Sequence, residues 1–595
     1  MDSIAIIRYN NQSRLPVLVF LPLYIISGRV RWAEIWRELL TERILIGVAW
    51  PYANGPLHLG HIAGAYLPAD IFARYHRLKG NDVLMVSGSD QHGAPITIRA
   101  EQESTTPQEI VSKYHQQFLE CWQKVGISFD LFTTTGTANH AQVTQDIFLT
   151  LLDNGYLHKD KMLQAYCPKC QRFLPDRYVE GTCPYCSFPK ARGDACDNCG
   201  KPLDPTDLGD ARCHICGTRP RFEESEHFFL RLSAFQDRLK GWIRGQSHWR
   251  QNVLGTAWKF LDEGLRDRAI TRDIEWGIAV PQPGFERKRI YVWFEAVIGY
   301  LSASKEWAKL HGDDTAWRAF WQGDAKSFYF IGKDNIFFHA LSWPATLMGY
   351  GGLNLPYDIP ANEFLTIEGG KLSTSRNWAV WLPDYLERYD PDPLRYFLSA
   401  SMPETQDSDF SWDKFLRRNN DELVATYGNL AHRTLTFAYR NFNGMVPPSG
   451  ELDEQSQSLL GKAKLTLNDV DEALGRCSFR EAIRQAMSLA QEANRYLDEQ
   501  APWKTIKTDP ESSAKSTYTA LSVLSALKTV FYPFLPFSSE KLHSCLGFEE
   551  SARDVGWKVQ PLTAGQKLCQ PEPLFVKLDD SIIVQETSRL GHESD

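Results

Sequence analysis

The sequence predicts an α/β protein, with a parallel sheet split by a cysteine-rich insertion and followed by an all-α bundle. Three observations predict it. Short apolar runs followed by helical periodicity recur in two halves of the chain, the pattern of strand–helix–strand crossovers. Four C-x-x-C pairs fall between those halves, and in the last third small and apolar residues repeat at spacings of three and four. At 595 residues the chain exceeds what one core organises, so three or four domains are expected. Its 43% hydrophobic and 12% aromatic content is that of a globular protein. A net charge of −8 excludes indiscriminate coating of nucleic acid, so any such contact must be local.

Residues 1–42 form an extension ahead of the first crossover. Its apolar run, LPVLVFLPLYII at 15–26, is interrupted by two prolines and is too short to span a bilayer. Arg8 and Arg14 precede it as in a signal peptide, but no small-residue cleavage site follows, and Asp2, Glu34 and Glu38 do not suit a transit peptide. A poorly ordered extension, or an upstream start codon wrongly included, is the reading that fits.

Residues 44–50 (ILIGVAW) are a nearly continuous apolar run, as expected of a strand covered on both faces. A helix is predicted over 60–79 from Ile62, Tyr66, Ile71, Tyr75 and Leu78, with Lys79 and Gly80 as basic last turn and stop. VLMVSGSD at 83–90 is the next strand, which completes a Rossmann-type crossover. Ligands of such sheets bind at the carboxyl ends of the strands. PYANGPLHLGH (51–61) sits there. His58 and His61 are therefore expected at a helix N-terminus that attracts anions, with Gly60 letting phosphate approach the backbone. Spacing alone equally fits two surface histidines or part of a metal site.

The pairs Cys167/Cys170, Cys183/Cys186, Cys196/Cys199 and Cys213/Cys216 have Pro and Gly in or beside their turns (CPKC, CPYC, CDNCG, CHICG). Such knuckles match tetrahedral thiolate zinc sites, two zincs for eight ligands, better than disulfides. Closed sites of this kind are structural. Cys121, Cys477, Cys545 and Cys569 are isolated thiols.

Beyond the knuckles the strand pattern resumes. RIYVWFEAVIGYL (289–301) is strand-like and then helical, and KSFYFIGKDN (326–335) is an apolar strand ending in a polar cluster. EFLTIEGGKLSTSR (363–376) is a strand running into a Gly-Gly loop that carries Lys371, Ser373, Ser375 and Arg376. A lysine and hydroxyls on a flexible loop suit the charge that develops on a leaving pyrophosphate. In the last third, AIRQAMSLAQEANRYL (482–497) is a bundle helix stopped at Ala501-Pro502, which exposes Trp503 in a turn. Asn429 and Arg433 lie one turn apart on an earlier helix. Together these three could read unstacked bases, although Trp503 taken singly also fits a domain-edge core residue.

HLGH and KLSTS together resemble the two signatures of class I aminoacyl-tRNA synthetases. PYANGPLHLGH, GSDQHG, LPDRYVEGTCPYC, SEHFF, YVWFEAVIGY, FIGKDN with FFH, YGNLAHR and DEQAPW resemble the methionyl family within that class, most of all its archaeal-type members with paired knuckles. The resemblance runs from about residue 43 to at least 505. It implies an N-terminal extension (1–42), a Rossmann catalytic domain in two halves (43–157 and 226–362) and a zinc-knuckle insertion (158–225). A signature-loop linking region (363–413), a helical anticodon-binding domain (414–560) and a C-terminal tail (561–595) complete the expectation. The implied reaction is ATP-dependent activation of L-methionine to methionyl-adenylate, with magnesium accompanying ATP, then transfer to initiator and elongator tRNA(Met).

By the same carry-over, His58, His61 and Lys371 are catalytic, and Gly60, Asp334 and Thr374 join them in ATP binding. Methionine falls to Trp50, Tyr52, Asp90, Trp293, Ala296, Tyr300, Phe338 and His339, and the CAU anticodon to Asn429, Arg433 and Trp503. The inner knuckles, Cys183/Cys186 with Cys196/Cys199, match single-zinc relatives, which leaves Cys167/Cys170 to join Cys213/Cys216. A cytoplasmic enzyme is implied, with no membrane association. The absence of an obvious appended domain after about 560 favours a monomer.

Two positions depart from the family pattern. Arg268-Ala269 replaces a usual Trp-Asp pair at the pocket wall, and Thr374 stands where many relatives carry a second signature lysine. Other HxGH adenylyl-transferring enzymes lack the knuckles and the helical third, the leucyl, isoleucyl and valyl synthetases need a large editing insertion, and an inactive zinc-ribbon RNA-binding scaffold would leave HLGH and KLSTS without purpose.

Overall fold

The computed structural model describes residues 3–9, 16–22, 41–193, 196, 198–199 and 203–591. Within the extension, Ser3–Tyr9 and Pro16–Pro22 pair as an antiparallel hairpin, Ser3 opposite Pro22 and Tyr9 opposite Pro16. The expectation of a poorly ordered extension otherwise falls on residues outside the described ones. Arg43 onward forms a separate compact unit.

That unit is built on a five-stranded sheet: β1 (Arg43–Val48), β2 (Asp82–Ser89), β3 (Leu131–Thr134), β4 (Lys326–Gly332) and β5 (Ala361–Asn362), in the order β5-β4-β1-β2-β3 and parallel throughout. Alternate side chains of β1 enter different cores, as a two-residue period requires. Ile44, Ile46 and Val48 join one core, whereas Leu45 joins the other with Leu84 and Val86. The first core continues without a break into the C-terminal helices through Leu430, Ala486, Leu524 and Phe531. The bundle and the sheet are therefore packed as one apolar interior.

The helix predicted over 60–79 forms, with an internal irregularity. Leu59–His61 is regular, Ile62–Tyr66 widens into a π-turn, and α1 (Leu67–Leu78) follows. Pro68 explains the widening, since its ring nitrogen has no N–H for the carbonyl one turn back. The same device recurs at Phe338–Ser342, ahead of Pro344. The strand expected at 289 is only Arg289–Ile290, and α2 (Val292–Leu310) takes over at once.

The insertion stands on a long antiparallel ribbon, Leu157–Cys167 against Arg221–Leu230, topped by a three-stranded sheet. In the last third, α3 (Asn429–Asn441), α4 (Glu454–Gly475), α5 (Phe479–Gln500) and α6 (Pro510–Phe531) form the bundle. The final stretch crosses back. Val446 exchanges backbone hydrogen bonds with Gly565 and Gln566, and the Gly591 N–H donates to the Asn377 carbonyl beside the signature loop. Among the described residues no helix is long and apolar enough to cross a membrane.

Candidate active site

One cavity of about 720 Å³ lies across the carboxyl ends of β1, β2 and β4. It is lined by Trp50, Tyr52, His58, Gly60, His61, Asp90, Trp293, Ala296, Tyr300, Asp334, Phe338, His339 and Lys371, every catalytic, ATP and methionine candidate except Thr374.

One end of it is the HLGH turn. Hydrogen bonds from Leu59 N–H to the Val380 carbonyl (3.1 Å) and from Leu382 N–H to the Leu57 carbonyl (2.8 Å) tie the turn to the segment after KLSTS, so the two signatures are held side by side. The imidazoles of His58 and His61 stack at 3.7 Å, 15° from parallel. The His58 backbone N–H donates to His61 Nδ1 at 3.1 Å, which leaves His61 Nε2 to carry the proton of the neutral ring. Burial holds the His61 pKa down at about 4, and burial followed by the neighbouring ring holds His58 well below the usual range. Near pH 7 both are neutral N–H donors.

The other end is aromatic. Trp50 fits because Gly88 and Gly299 have no side chain, and a Cβ at Gly299 would lie 2.7 Å from the indole. His339 Nδ1 donates to the Asn335 carbonyl at 2.9 Å, so Nε2 must accept from the Tyr300 hydroxyl at 2.8 Å. Burial keeps His339 at about 4, hence neutral, and the pair forms a fixed polar wall. Trp293 packs against Phe338 at 5.0 Å and stays 37% exposed, a ring free to cover an apolar chain. Asp90 is buried at the end of β2, where its backbone exchanges hydrogen bonds with Pro51 and Ala53. Burial first, then the negative charge of Glu295, pushes its carboxyl up to about 8. Such a group calls for a cationic partner.

Lys371 lies on a tight hairpin, Leu365–Ile367 against Gly370–Lys371. Glu368 (φ 49°) and Gly369 (φ 72°) supply the two left-handed turn positions. Gly369 N–H donates to Asp409, and the Trp378 indole N–H to the Ile367 carbonyl. The hairpin is thus anchored from behind while Lys371 is exposed at its front. Thr374 lines a second depression of about 1090 Å³, together with Arg376, His58 and His61. Arg268, at the departure from the family pattern, lies over the Phe337 ring at 4.3 Å, one residue from the cavity-lining Phe338.

Four residues that sequence reasoning passed over take part. Asn335 and Thr366 line the cavity, and Glu363 and Asp407 hold Lys333 at 2.7 Å each on its rim. Asn335 closes FIGKDN, and Glu363 and Thr366 lie in EFLTIEGGKLSTSR, without a role that the motifs themselves assign, and Asp407 lies in no motif; their meeting is a product of the fold. Arg99, Arg177 and Arg192 line the second depression from the helix after GSDQHG and from the insertion, Arg177 within the LPDRYVEGTCPYC stretch.

The knuckles close into two clusters, Cys167, Cys170, Cys213 and Cys216 and, separately, Cys183, Cys186, Cys196 and Cys199, with all sulfurs of a cluster within 4.8 Å. Nearest pairs lie at 3.4 to 3.9 Å, beyond disulfide bonding. Zinc–sulfur bonds of about 2.3 Å at tetrahedral angles need about 3.8 Å between sulfurs, so the donor set fits a metal ion. On the bundle, Asn429 and Arg433 line a shallow polar depression with Asn494 and Asp498. Arg433 donates to Asp498 at 2.7 Å and its guanidinium lies 5.7 Å from the centre of the Trp503 ring, 43% exposed, on the short helix Pro502–Thr505.

A family described as class I tRNA synthetases (M) matches residues 44–435, and the anticodon-binding domain of methionyl tRNA ligase matches 446–594. A methionine–tRNA ligase of Dehalococcoides mccartyi is 60% identical over 552 residues, covering 93% of this chain and 100% of the relative. One from Thermomicrobium roseum is 52% identical over 583 residues, with 93% and 100% covered. Among solved structures, the Mycobacterium tuberculosis methionyl-tRNA synthetase in complex with methionyl-adenylate is similar with a TM-score of 0.75 at 26% identity, over 90% of this chain and 100% of that one.

Proposed function

The chain belongs to the methionyl family of class I tRNA synthetases, and on that premise we propose that its cleft joins L-methionine to AMP and passes the methionyl group to initiator and elongator tRNA(Met). The observation that carries this is a single cavity with a buried carboxylate and aromatic walls at one end and HLGH with Lys371 at the other.

The methionine ammonium pairs with Asp90, and its thioether lies among Trp50, Tyr52, Trp293, Ala296, Tyr300, Phe338 and His339, where sulfur–aromatic contacts are favourable. Its carboxylate attacks the α-phosphorus of ATP, the bond to the bridging oxygen breaks, and pyrophosphate leaves. The carboxylate is already a nucleophile, so the protein contributes position and fixed dipoles. Gly60 admits the phosphates to the turn, His58 and His61 donate N–H groups as charge shifts, Lys371 meets the developing pyrophosphate, and Asp334 takes the ribose hydroxyls. Magnesium would arrive with ATP and screen its phosphates. Thr374 contributes a hydroxyl from the neighbouring depression. Asn429, Arg433 and Trp503 read the CAU anticodon.

Zinc fits both cysteine clusters and would fold the insertion without entering the reaction. The reading includes a cytoplasmic enzyme working as a monomer. Methionine-dependent ATP–pyrophosphate exchange, followed by charging of pure tRNA(Met), tests the activity, and no exchange with methionine would overturn it. Metal analysis is expected to find about two zinc ions per chain. Cys213→Ser should lose one and keep the other, and loss of both would argue against independent sites.

A further inference from the structure

Behind Asp90, outside the cavity wall, lies a buried group of ionisable side chains that the mechanism above does not use. Glu295, on the first turn of α2, is fully buried. Its Oε1 accepts from His92 Nδ1 at 2.8 Å, whereas Oε2, also buried, has no hydrogen-bond partner. His140 is the nearest other candidate, with Nε2 at 4.0 Å from that oxygen. It cannot donate there. The Ser302 hydroxyl gives its proton to the Gly299 carbonyl (3.0 Å) and so accepts from His140 Nδ1 (2.8 Å), which leaves His140 Nε2 without a proton in a ring that burial keeps neutral at about 3. His92 in turn reaches Asp90 through its backbone, whose N–H donates to Asp90 Oδ1 at 3.2 Å.

We propose that Glu295 and His92 are positioning residues for the substrate ammonium: Glu295 fixes the His92 ring, residue 92 thereby fixes Asp90, and the pair sets the charge that Asp90 presents to the amino acid. The inference rests on the methionine reading of the cleft. Glu295 acts on Asp90 as an anion and His92 as a smaller opposing cation, the two joined by the 2.8 Å hydrogen bond. Ionised Asp90 is then the one uncompensated charge of the group, matched by one substrate ammonium. The groups facing Asp90 are Tyr52 from the turn after β1, His92 on its own segment, Glu295 from α2 and the Thr135 hydroxyl, with neutral His140 behind. Burial and then the Glu295 anion raise the Asp90 carboxyl, and His92 with the Thr135 hydroxyl offsets them only in part. Burial and Glu295 thus favour a protonated Asp90 until a cation such as the substrate ammonium arrives.

The test is the pH dependence of kcat/KM for methionine in ATP–pyrophosphate exchange by the full chain, which reports groups of the free enzyme. For the unaltered chain, kcat/KM should fall about tenfold per pH unit below about 8, the Asp90 limb. Glu295→Gln keeps an oxygen for His92 Nδ1–H and turns an amide toward His140 Nε2, so the fold is retained while the negative charge is removed. Its acid limb should move to lower pH. Glu295→Ala should raise the methionine KM about tenfold or more and leave the ATP KM within about twofold, because what is lost is a hydrogen bond that fixes a charged group. An acid limb in Glu295→Gln that coincides with that of the unaltered chain overturns the proposal, even if Glu295→Ala does not fold. Equal losses for methionine and ATP in Glu295→Gln overturn it too. Absence of any methionine-dependent exchange by the unaltered chain would instead overturn the functional reading itself.

Discussion

The cleft and the bundle face treat their polar groups in opposite ways. In the cleft, burial shifts nearly every titratable side chain toward its neutral form: His61 and His339 down to about 4, Asp90 up to about 8. On the bundle, Asn429 and Trp503 are exposed, and Arg433 is held in an ordinary ion pair with Asp498. Chemistry on a phosphate requires dipoles that are fixed before the charge develops, hence desolvated. Reading an unstacked base requires a π-face that a base can reach, hence exposed. Under the proposed function the two regions thus differ in solvation as their tasks differ.

The two regions are joined by a buried ion cluster, and breaking it should have the largest effect. Arg395, fully buried, donates to Asp70 on α1 at 2.7 Å and to the Pro533 and Phe534 carbonyls after α6, while Arg74 and Ser128 complete the Asp70 shell. Asp70→Asn should cost about 3–5 kcal/mol, read from denaturant unfolding at pH 7, because it leaves buried arginine charge without its partner. Burial alone would raise the Asp70 carboxyl, but Arg74 and Arg395 outweigh it and hold it at about 2. A depressed carboxylate stabilises the fold above its unfolded value near 4, and that contribution is lost as the pH falls toward 2. About 2 kcal/mol of acid-labile stability is expected in the unaltered chain between those limits and absent in Asp70→Asn.

A cut within the cleft comes next. Lys371→Ala should slow adenylate formation about 10²- to 10³-fold, the cost of one preorganised electrostatic contact, and leave methionine affinity nearly unchanged, since Lys371 faces the phosphate end. His61→Ala should behave alike. Stopped-flow adenylate formation against equilibrium methionine binding separates the two quantities, and an unchanged rate would remove Lys371 from the machinery.

The bundle face should give a smaller and cleaner effect. Trp503→Ala removes one stacking ring, worth about 1–3 kcal/mol, so charging of tRNA(Met) should fall by roughly 5- to 150-fold while pyrophosphate exchange stays at the level of the unaltered chain. Equal damage to both steps would mean that Trp503 works as a core residue, and the contrast between the regions would lose one side.

How far the sequence discloses all this follows the same division. The runs at β1, β2 and β4, the helix at 482–497 and the CxxC spacing were legible because each is a local pattern whose period or spacing is itself the physical cause. The π-turn at 62–66 was not, although Pro68 was visible, because a proline within a helical pattern is compatible with several local solutions. Lys333 could be read as a spare cation from its place beside Asp334, yet Glu363 and Asp407 engage it at 2.7 Å each, and neither adjoins it in the sequence. The Asp70–Arg395 contact was invisible for that reason as well, as was the meeting of His92 with Glu295.

That engagement of Lys333 decides the smallest effect. With Thr374 in place of a cation, a helper for Lys371 must come from elsewhere, and Lys333 is already neutralised by two carboxylates. Arg376 is exposed, gives its Nε–H to the Ser373 hydroxyl at 3.2 Å, and lines the depression shared with His58, His61 and Thr374. Its guanidinium is one residue beyond the signature and can meet a departing pyrophosphate by charge-assisted hydrogen bonds, which a threonine hydroxyl supplies only weakly. Because the group is solvent-exposed, screening limits its worth to about 1 kcal/mol. Arg376→Ala should therefore lower the single-turnover adenylation rate by only about fivefold, with methionine affinity unaltered, and Thr374→Lys in that background should restore part of the loss by returning a cation to the signature. An adenylation rate untouched by Arg376→Ala would mean that Lys371 carries the pyrophosphate charge alone. The cleft would then need no second cation from its rim.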